Sequence, residues 1–188
     1  MKGTYLGPEF ENDEVIKYLK KINAPFHTQR DKDLFVKLAE ELDNGHVIGW
    51  FNGPMEFGPR ALGARSIIGD PRNEKMQSVM NLKIKYRESF RPFAPSVLEE
   101  DVASQFEMNV KSPYMLLVAH VKHELCKTMT QDQEKLFGIE KLNILRSSLP
   151  AITHVDYSAR VQTVSKKTNP RFYNLISSFK EKTGCPTI

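Results

Sequence analysis

The stretch that decides how this chain is read runs from Met55 to Arg72, "MEFGPRALGARSIIGDPR", with three glycines, two prolines and three arginines. "HVIGWF" (46–51), just before it, is an apolar run of strand length. "NEKMQSVMNLKIKY" (73–86), just after it, places Met76, Val79, Met80 and Ile84 at helical spacing. A glycine-rich corner between a strand and a helix either cradles a phosphate or is a tight turn beside the core. Gly58 to Gly63 has the G-x-x-x-x-G spacing of a phosphate loop, but Ala64-Arg65 stand where Lys and Ser/Thr are required. The G-x-G-x-x-G dinucleotide pattern is also absent, so neither common nucleotide signature holds.

The flanks supply the rest of the architecture. "DEVIKYLKKIN" (13–23) is a short amphipathic helix, and "DKDLFVKLAEELD" (31–43) is a second with Leu34, Phe35, Leu38 and Leu42 on one face, closed by Asn44-Gly45. "PYMLLVAHV" (113–121) reads as a strand, and "AITHV" (151–155) with "ARVQTV" (159–164) as a hairpin around Asp156-Tyr157-Ser158. Asn169 caps a final helix with Pro170 at its first position and Gly184 as its stop. Residues 123–148 form a polar excursion with a short helix near 131–136. Strands mixed with helices in this order predict an α/β (α+β) open sheet, with residues 1–45 as a helical lead-in packed on a main domain of 46–188.

Bulk properties fit a globular domain: 188 residues, 40% hydrophobic, 27% charged and a net charge of +4. No apolar run has membrane-spanning length and no signal peptide is apparent. Cys126 and Cys185 show no paired spacing, so a reducing cytoplasm is the expected location and neither a disulfide nor a zinc site is indicated. The positive charge points to anionic ligands.

Arg60, Arg65 and Arg72 come from the opening stretch, and Lys83, Lys85, Arg87 and Arg91 follow within a few turns. Arginine's planar donor fork matches phosphate oxygens, and lysine adds a compact charge. Arg91 stands in "FRPFAP", where two prolines stiffen the backbone and Phe90 and Phe93 exclude water, a frame that calls for an anionic partner. Arg72, Lys83 and Arg87 read more simply as solvated charges.

The motifs "GPMEFGPRALGARSIIGDPR", "NLKIKYRESFRPFAPSVLEE", "SPYMLLVAHV", "PAITHVDYSARVQTV" and "NPRFYNLISSFKEKTGCP" run in order along nearly the whole chain. Together they resemble the C-terminal domain of the NodU/CmcH-type O-carbamoyltransferases. The resemblance implies a YrdC-like α/β fold with a twisted open mixed sheet flanked by helices. It implies ATP and carbamoyl phosphate as substrates, Mg2+ arriving with the nucleotide, and carbamoyl adenylate as the product. A separate N-terminal domain of the actin-like superfold would then pass the carbamoyl group to a hydroxyl acceptor. On the matching motifs, Arg60, Lys85, Arg91 and Arg160 would be catalytic, with His154, Gln162 and Arg65 contacting substrate and no metal ligand in this part. The chain departs from the family in three places. Tyr157-Ser158 replace a usual Gly-Thr, the 122–148 region is longer than in compact members, and "TGCPTI" stands where members continue into a further strand.

Other residues are read against plainer roles. His120 and His123 fall on opposite faces of a strand and do not share an ion. Trp50, Phe51 and Phe57 are expected in the core. A basic RNA-binding module without catalysis is the competing function. It is disfavoured because the basic residues gather in glycine- and proline-stiffened motifs rather than interleaving with aromatics over a surface.

Overall fold

Side-chain capping fixes the helix that anchors the fold. In the computed structural model, which describes residues 3–188, Asn169 accepts a hydrogen bond from the Phe172 amide at 3.2 Å, and Pro170 opens α7 (Pro170–Thr183). Gly184 ends it at φ +77°, a conformation glycine adopts without strain. α7 buries Phe172, Leu175, Ile176 and Phe179. Against them lie Phe35, Ala39 and Leu42 of α2 (Asp31–Asp43); of the stripe expected from sequence Phe35 and Leu42 are buried, Leu38 packs at the margin, and Ala39 joins them. α1 (Asn12–Lys21) precedes α2 and buries no residue.

Two sheets carry the strands. β1 (Ile48–Phe51) and β2 (Arg65–Ile68) pair antiparallel, with Ile48 opposite Ile68. The second sheet has the order β3-β5-β4, with β3 (Ser96–Leu98) parallel and β4 (Leu117–His120) antiparallel to the central β5 (Ser158–Val164). The last residues run along the free side of β3, where Ser96 and Ile188 exchange two backbone hydrogen bonds at 2.8 and 3.0 Å. The architecture is α/β, with mixed strand directions and helices against the sheet.

After β2, α3 (Met76–Met80) widens into a π-helical turn over Asn81–Lys85 that stops at Tyr86, φ +49°. α4 (Val102–Gln105) follows β3. α5 (Gln131–Glu134), capped by Thr130, and α6 (Gly138–Leu142) lie within the excursion.

Three expectations are corrected. "AITHV" forms no hairpin with β5, because β3 and β4 occupy both of its edges. Instead Asp156 Oδ1 accepts from the Ser158 amide (3.0 Å) and hydroxyl (2.7 Å), and His154 N donates to Ser158 O, which turns the chain before a ladder can begin. Phe51 is exposed rather than core, covered by Phe10 and by the Arg65 guanidinium 3.5 Å above its ring. Phe57 is 73% exposed, whereas Trp50 is buried as expected. His123 lies in a short 3-10 turn beyond β4 rather than in the strand with His120, whose Nδ1 lies 3.1 Å from the Asp156 carbonyl.

Candidate anion-binding site

The opening stretch is built around its own carboxylate. Glu56 is buried, and its Oε1 accepts from the backbone amides of Leu62 (2.6 Å), Ala64 (2.8 Å) and Arg65 (3.2 Å). Burial alone would push its pKa up, but these amides, with its own, outweigh that and hold it below the ordinary glutamate value. The loop carbonyls are tied as firmly. Leu62 O accepts from the Tyr5 hydroxyl (2.7 Å) and Gln162 Nε2 (2.9 Å), and Gly63 O from Trp50 Nε1 (2.9 Å) and Asn169 Nδ2 (3.0 Å). The stretch is therefore no phosphate cradle, because the amides that could have held a phosphate already hold Glu56. It is a rigid corner that presents Arg60.

Gly63 is the tightest point of that corner. Its φ is +97°, and a Cβ there would stand 2.3 Å from the Phe172 ring. Gly63→Ala combines backbone strain with overpacking and is expected to lose about 3 kcal/mol of stability by chemical denaturation. A loss below 1 kcal/mol would show that the corner yields easily.

A second corner carries the other cations. Asn81 is fully buried, and its Nδ2 donates to the carbonyls of Ser89 (3.1 Å) and Arg91 (2.8 Å), while its Oδ1 accepts from Arg87 Nε (2.6 Å). This amide staples residues 81–91 into a loop. Arg87 also lies over the Phe93 ring, 4.9 Å from its centroid.

Between the corners and β5 lies a cleft of about 370 Å3, lined by Arg60, Lys85, Arg87 and Arg160 together with Ile68, Phe93 and Ile188. No Asp or Glu side chain lines it among the described residues. Arg60 Nε is buried without a hydrogen-bond partner, and neither Arg160 nor Lys85 forms an ion pair among the described residues. Like charges gathered without counter-ions repel, so the arrangement suits a ligand that brings several negative charges. Arg87 and Arg160 also border an adjoining lobe, which holds Arg91, His154 and Asp156.

Residues 39–188 match the family described as carbamoyltransferase C-terminus. The chain belongs to that family. It is 63% identical to an uncharacterized protein of Synechocystis sp., over all of this chain and 31% of that protein. It is 40% identical to nodulation protein NolO of Bradyrhizobium diazoefficiens, over 98% of this chain and 31% of NolO. It is 35% identical to the 3'-hydroxymethylcephem-O-carbamoyltransferase of Amycolatopsis lactamdurans, over 79% of this chain and 24% of that enzyme. The chain thus spans less than a third of the length of these relatives.

The residues singled out from the carbamoyltransferase resemblance fall into three groups. Arg60, Lys85 and Arg160 share the cleft. Arg91 and His154 sit in the adjoining lobe, where Arg91 is half exposed and paired with Glu88 at 2.9 Å. The shielded frame expected around Arg91 does not form, since both Phe90 and Arg91 are exposed. Arg65 and Gln162 are engaged elsewhere. Arg65 donates to the carbonyls of Gly53 (2.9 Å), Ala64 (2.9 Å) and Pro8 (3.1 Å), so its fork is filled by backbone. Buried Gln162 accepts from Ser96 Oγ at 2.9 Å as it donates to Leu62 O, linking β3, β5 and the Arg60 corner.

Sequence reasoning passed over Glu56, Asn81 and Arg87. A signal existed for Asn81, a polar residue inside an otherwise apolar helical face. Arg87 was read as a surface charge, yet it stands where the cleft and the lobe meet. Arg72 is likewise no solvated charge, because both carboxylate oxygens of buried Asp70 and one of Asp43 accept from it.

Proposed function

We propose that this chain supplies the ATP- and carbamoyl-phosphate-binding part of an O-carbamoyltransferase, where carbamoyl adenylate forms before transfer to a hydroxyl acceptor. One observation carries the reading. Arg60, the Lys85–Arg87 pair and Arg160 come from three separate segments to one cleft that no Asp or Glu side chain lines among the described residues. The YrdC-like assignment, the division at residue 45 and a cytoplasmic setting belong to the same proposal.

In the proposed reaction water first cleaves carbamoyl phosphate into carbamate and inorganic phosphate, and a carbamate oxygen then bonds to the α-phosphorus of ATP. The bond from that phosphorus to the bridging oxygen breaks, and pyrophosphate leaves with the electron pair. The reaction needs no side-chain nucleophile. It needs closely held anions to be neutralised and aligned, which fixed guanidinium groups provide without reorganisation. Lys85 adds a mobile point charge at the edge of the cleft. The cleft's donor set does not suit a protein-bound Mg2+, which takes oxygen ligands, so any magnesium there would be held by phosphate oxygens. Acceptor binding and transfer fall to the parts of the longer relatives that this chain does not match.

Calorimetry with ATP tests the assignment. Lys85→Ala is expected to weaken binding by roughly 1.5–3 kcal/mol, the usual worth of a charge-assisted hydrogen bond. Its melting temperature should hardly move, because Lys85 is exposed. Added pyrophosphate should compete and added RNA should not. Unchanged affinity, or competition by RNA alone, would overturn the reading.

A further inference from the structure

Residues 142–146, at the end of the excursion, form one wall of a second cavity. It has a volume of about 510 Å3, within the range of small-molecule sites, and lies between the start of α3, residues 89–92 and the segment after α6. Its wall includes Arg146, which is only 5% exposed. The Arg146 Nη atoms donate to the carbonyls of Lys141, Leu142 (3.2 Å) and Ile144 (3.0 Å), which closes the end of α6. Those carbonyls satisfy hydrogen bonds but bring no net negative charge. Nε has no partner, and no carboxylate pairs with Arg146 among the described residues.

A guanidinium removed from water without a counter-ion is costly, and here burial lowers its pKa. Lys75, Arg91 and His154 line the same cavity, against Glu74 as its one acidic residue, and at Arg91 and His154 the cavity meets the lobe beside the cleft. Arg91 is already paired with Glu88, which leaves Lys75 and Arg146 as the uncompensated charges. Phe90, Leu142 and Ile144 give the cavity an apolar side.

We propose that this cavity is a second binding site, distinct from the Arg60 cleft, for a small molecule presenting a phosphate or carboxylate to Arg146 and Lys75, with any apolar portion against Phe90 and Leu142. It gives the end of the excursion, residues 142–146, a role as one wall of that site. The proposal does not rest on the assignment of the cleft.

The test is a titration of the folded chain with inorganic phosphate and with benzoate, followed through backbone amide resonances. At least one probe should give saturable shifts at residues 143–146. Those shifts should persist with unchanged midpoint in an Arg160→Glu background, which weakens the cleft at least a hundredfold. Lys75→Glu should raise their midpoint about fivefold, the effect of reversing one exposed charge near an anion. Lys75 is exposed and forms no ion pair among the described residues, so this variant is expected to fold, and Arg146→Met should erase the shifts. No shift at residues 143–146 up to tens of millimolar of either probe would overturn the proposal. So would shifts that vanish with Arg160→Glu, or a midpoint indifferent to Lys75→Glu.

Discussion

Replacing Glu56 with alanine is expected to lower the melting temperature by on the order of 10 °C, the largest stability effect of any single polar substitution here. The reason is local and countable. The Glu56 carboxylate accepts from the amides of Leu62, Ala64 and Arg65 inside a buried corner, and alanine leaves all three without a partner. An orphaned buried donor costs about 1–3 kcal/mol, so a total near 3–5 kcal/mol follows once some relaxation is allowed. Glu56→Gln keeps one carbonyl acceptor and should cost less than half as much. Both variants should also weaken anion binding, because Arg60 lies between Glu56 and the amides it gathers. A melting temperature within 2 °C of the parent for Glu56→Ala would mean that the corner is held by its other bonds.

The same carboxylate predicts an acid dependence. Its pKa is lower folded than unfolded, so its contribution is fully present above the unfolded value, near 4.3, and is lost as pH falls through the folded value. Stability measured by denaturant between pH 6 and about pH 3 should therefore fall less steeply in Glu56→Gln than in the parent. Parallel curves would show that Glu56 titrates alike in both states.

What was legible in the sequence was local. α2 and α7 were placed by an apolar stripe and by Asn169, Pro170 and Gly184, signals that act within one or two turns. The failure of the phosphate-loop patterns at Ala64-Arg65 was also readable. The reason for the glycines was not, because Gly58 and Gly63 serve to bend the chain around a glutamate. No spacing rule links Glu56 to amides six, eight and nine residues away. The hairpin at residues 151–164 failed because strand pairing is a competition, and β3 and β4 take both edges of β5 from distant parts of the chain. Arg91 was misjudged for a related reason: prolines and aromatics adjacent in sequence enclose a side chain only if the backbone folds them over it. Here the Asn81 staple turns the segment outward, and Arg91 meets Glu88 in solvent.

Arg160→Glu is expected to weaken binding of ATP or inorganic pyrophosphate at least a hundredfold while leaving the fold intact. Arg160 stands on the central strand opposite Val118, where its backbone bonds secure β5 whatever side chain it carries. Its side chain is exposed, and Arg160 borders both the cleft and the adjoining lobe, so it faces any anion that enters either. Reversal changes the local charge by two. At about 5 Å and an effective dielectric near 20, each unit charge acting on one ligand charge is worth about 3 kcal/mol. Exposure and salt screening reduce that severalfold, yet a polyanion multiplies it, and about 2.7 kcal/mol is enough for a hundredfold loss. Arg160→Ala should fall between the parent and Arg160→Glu, and Arg160→Lys should recover most of the affinity, an order that only a charge effect produces. Calorimetry on the three variants, with melting curves run alongside, decides the matter. Equal affinities across the series would remove Arg160 from the site. A collapse of the melting temperature in Arg160→Glu with little change in Arg160→Ala would instead mark the position as intolerant of a carboxylate near Asp156, a structural effect separable from binding.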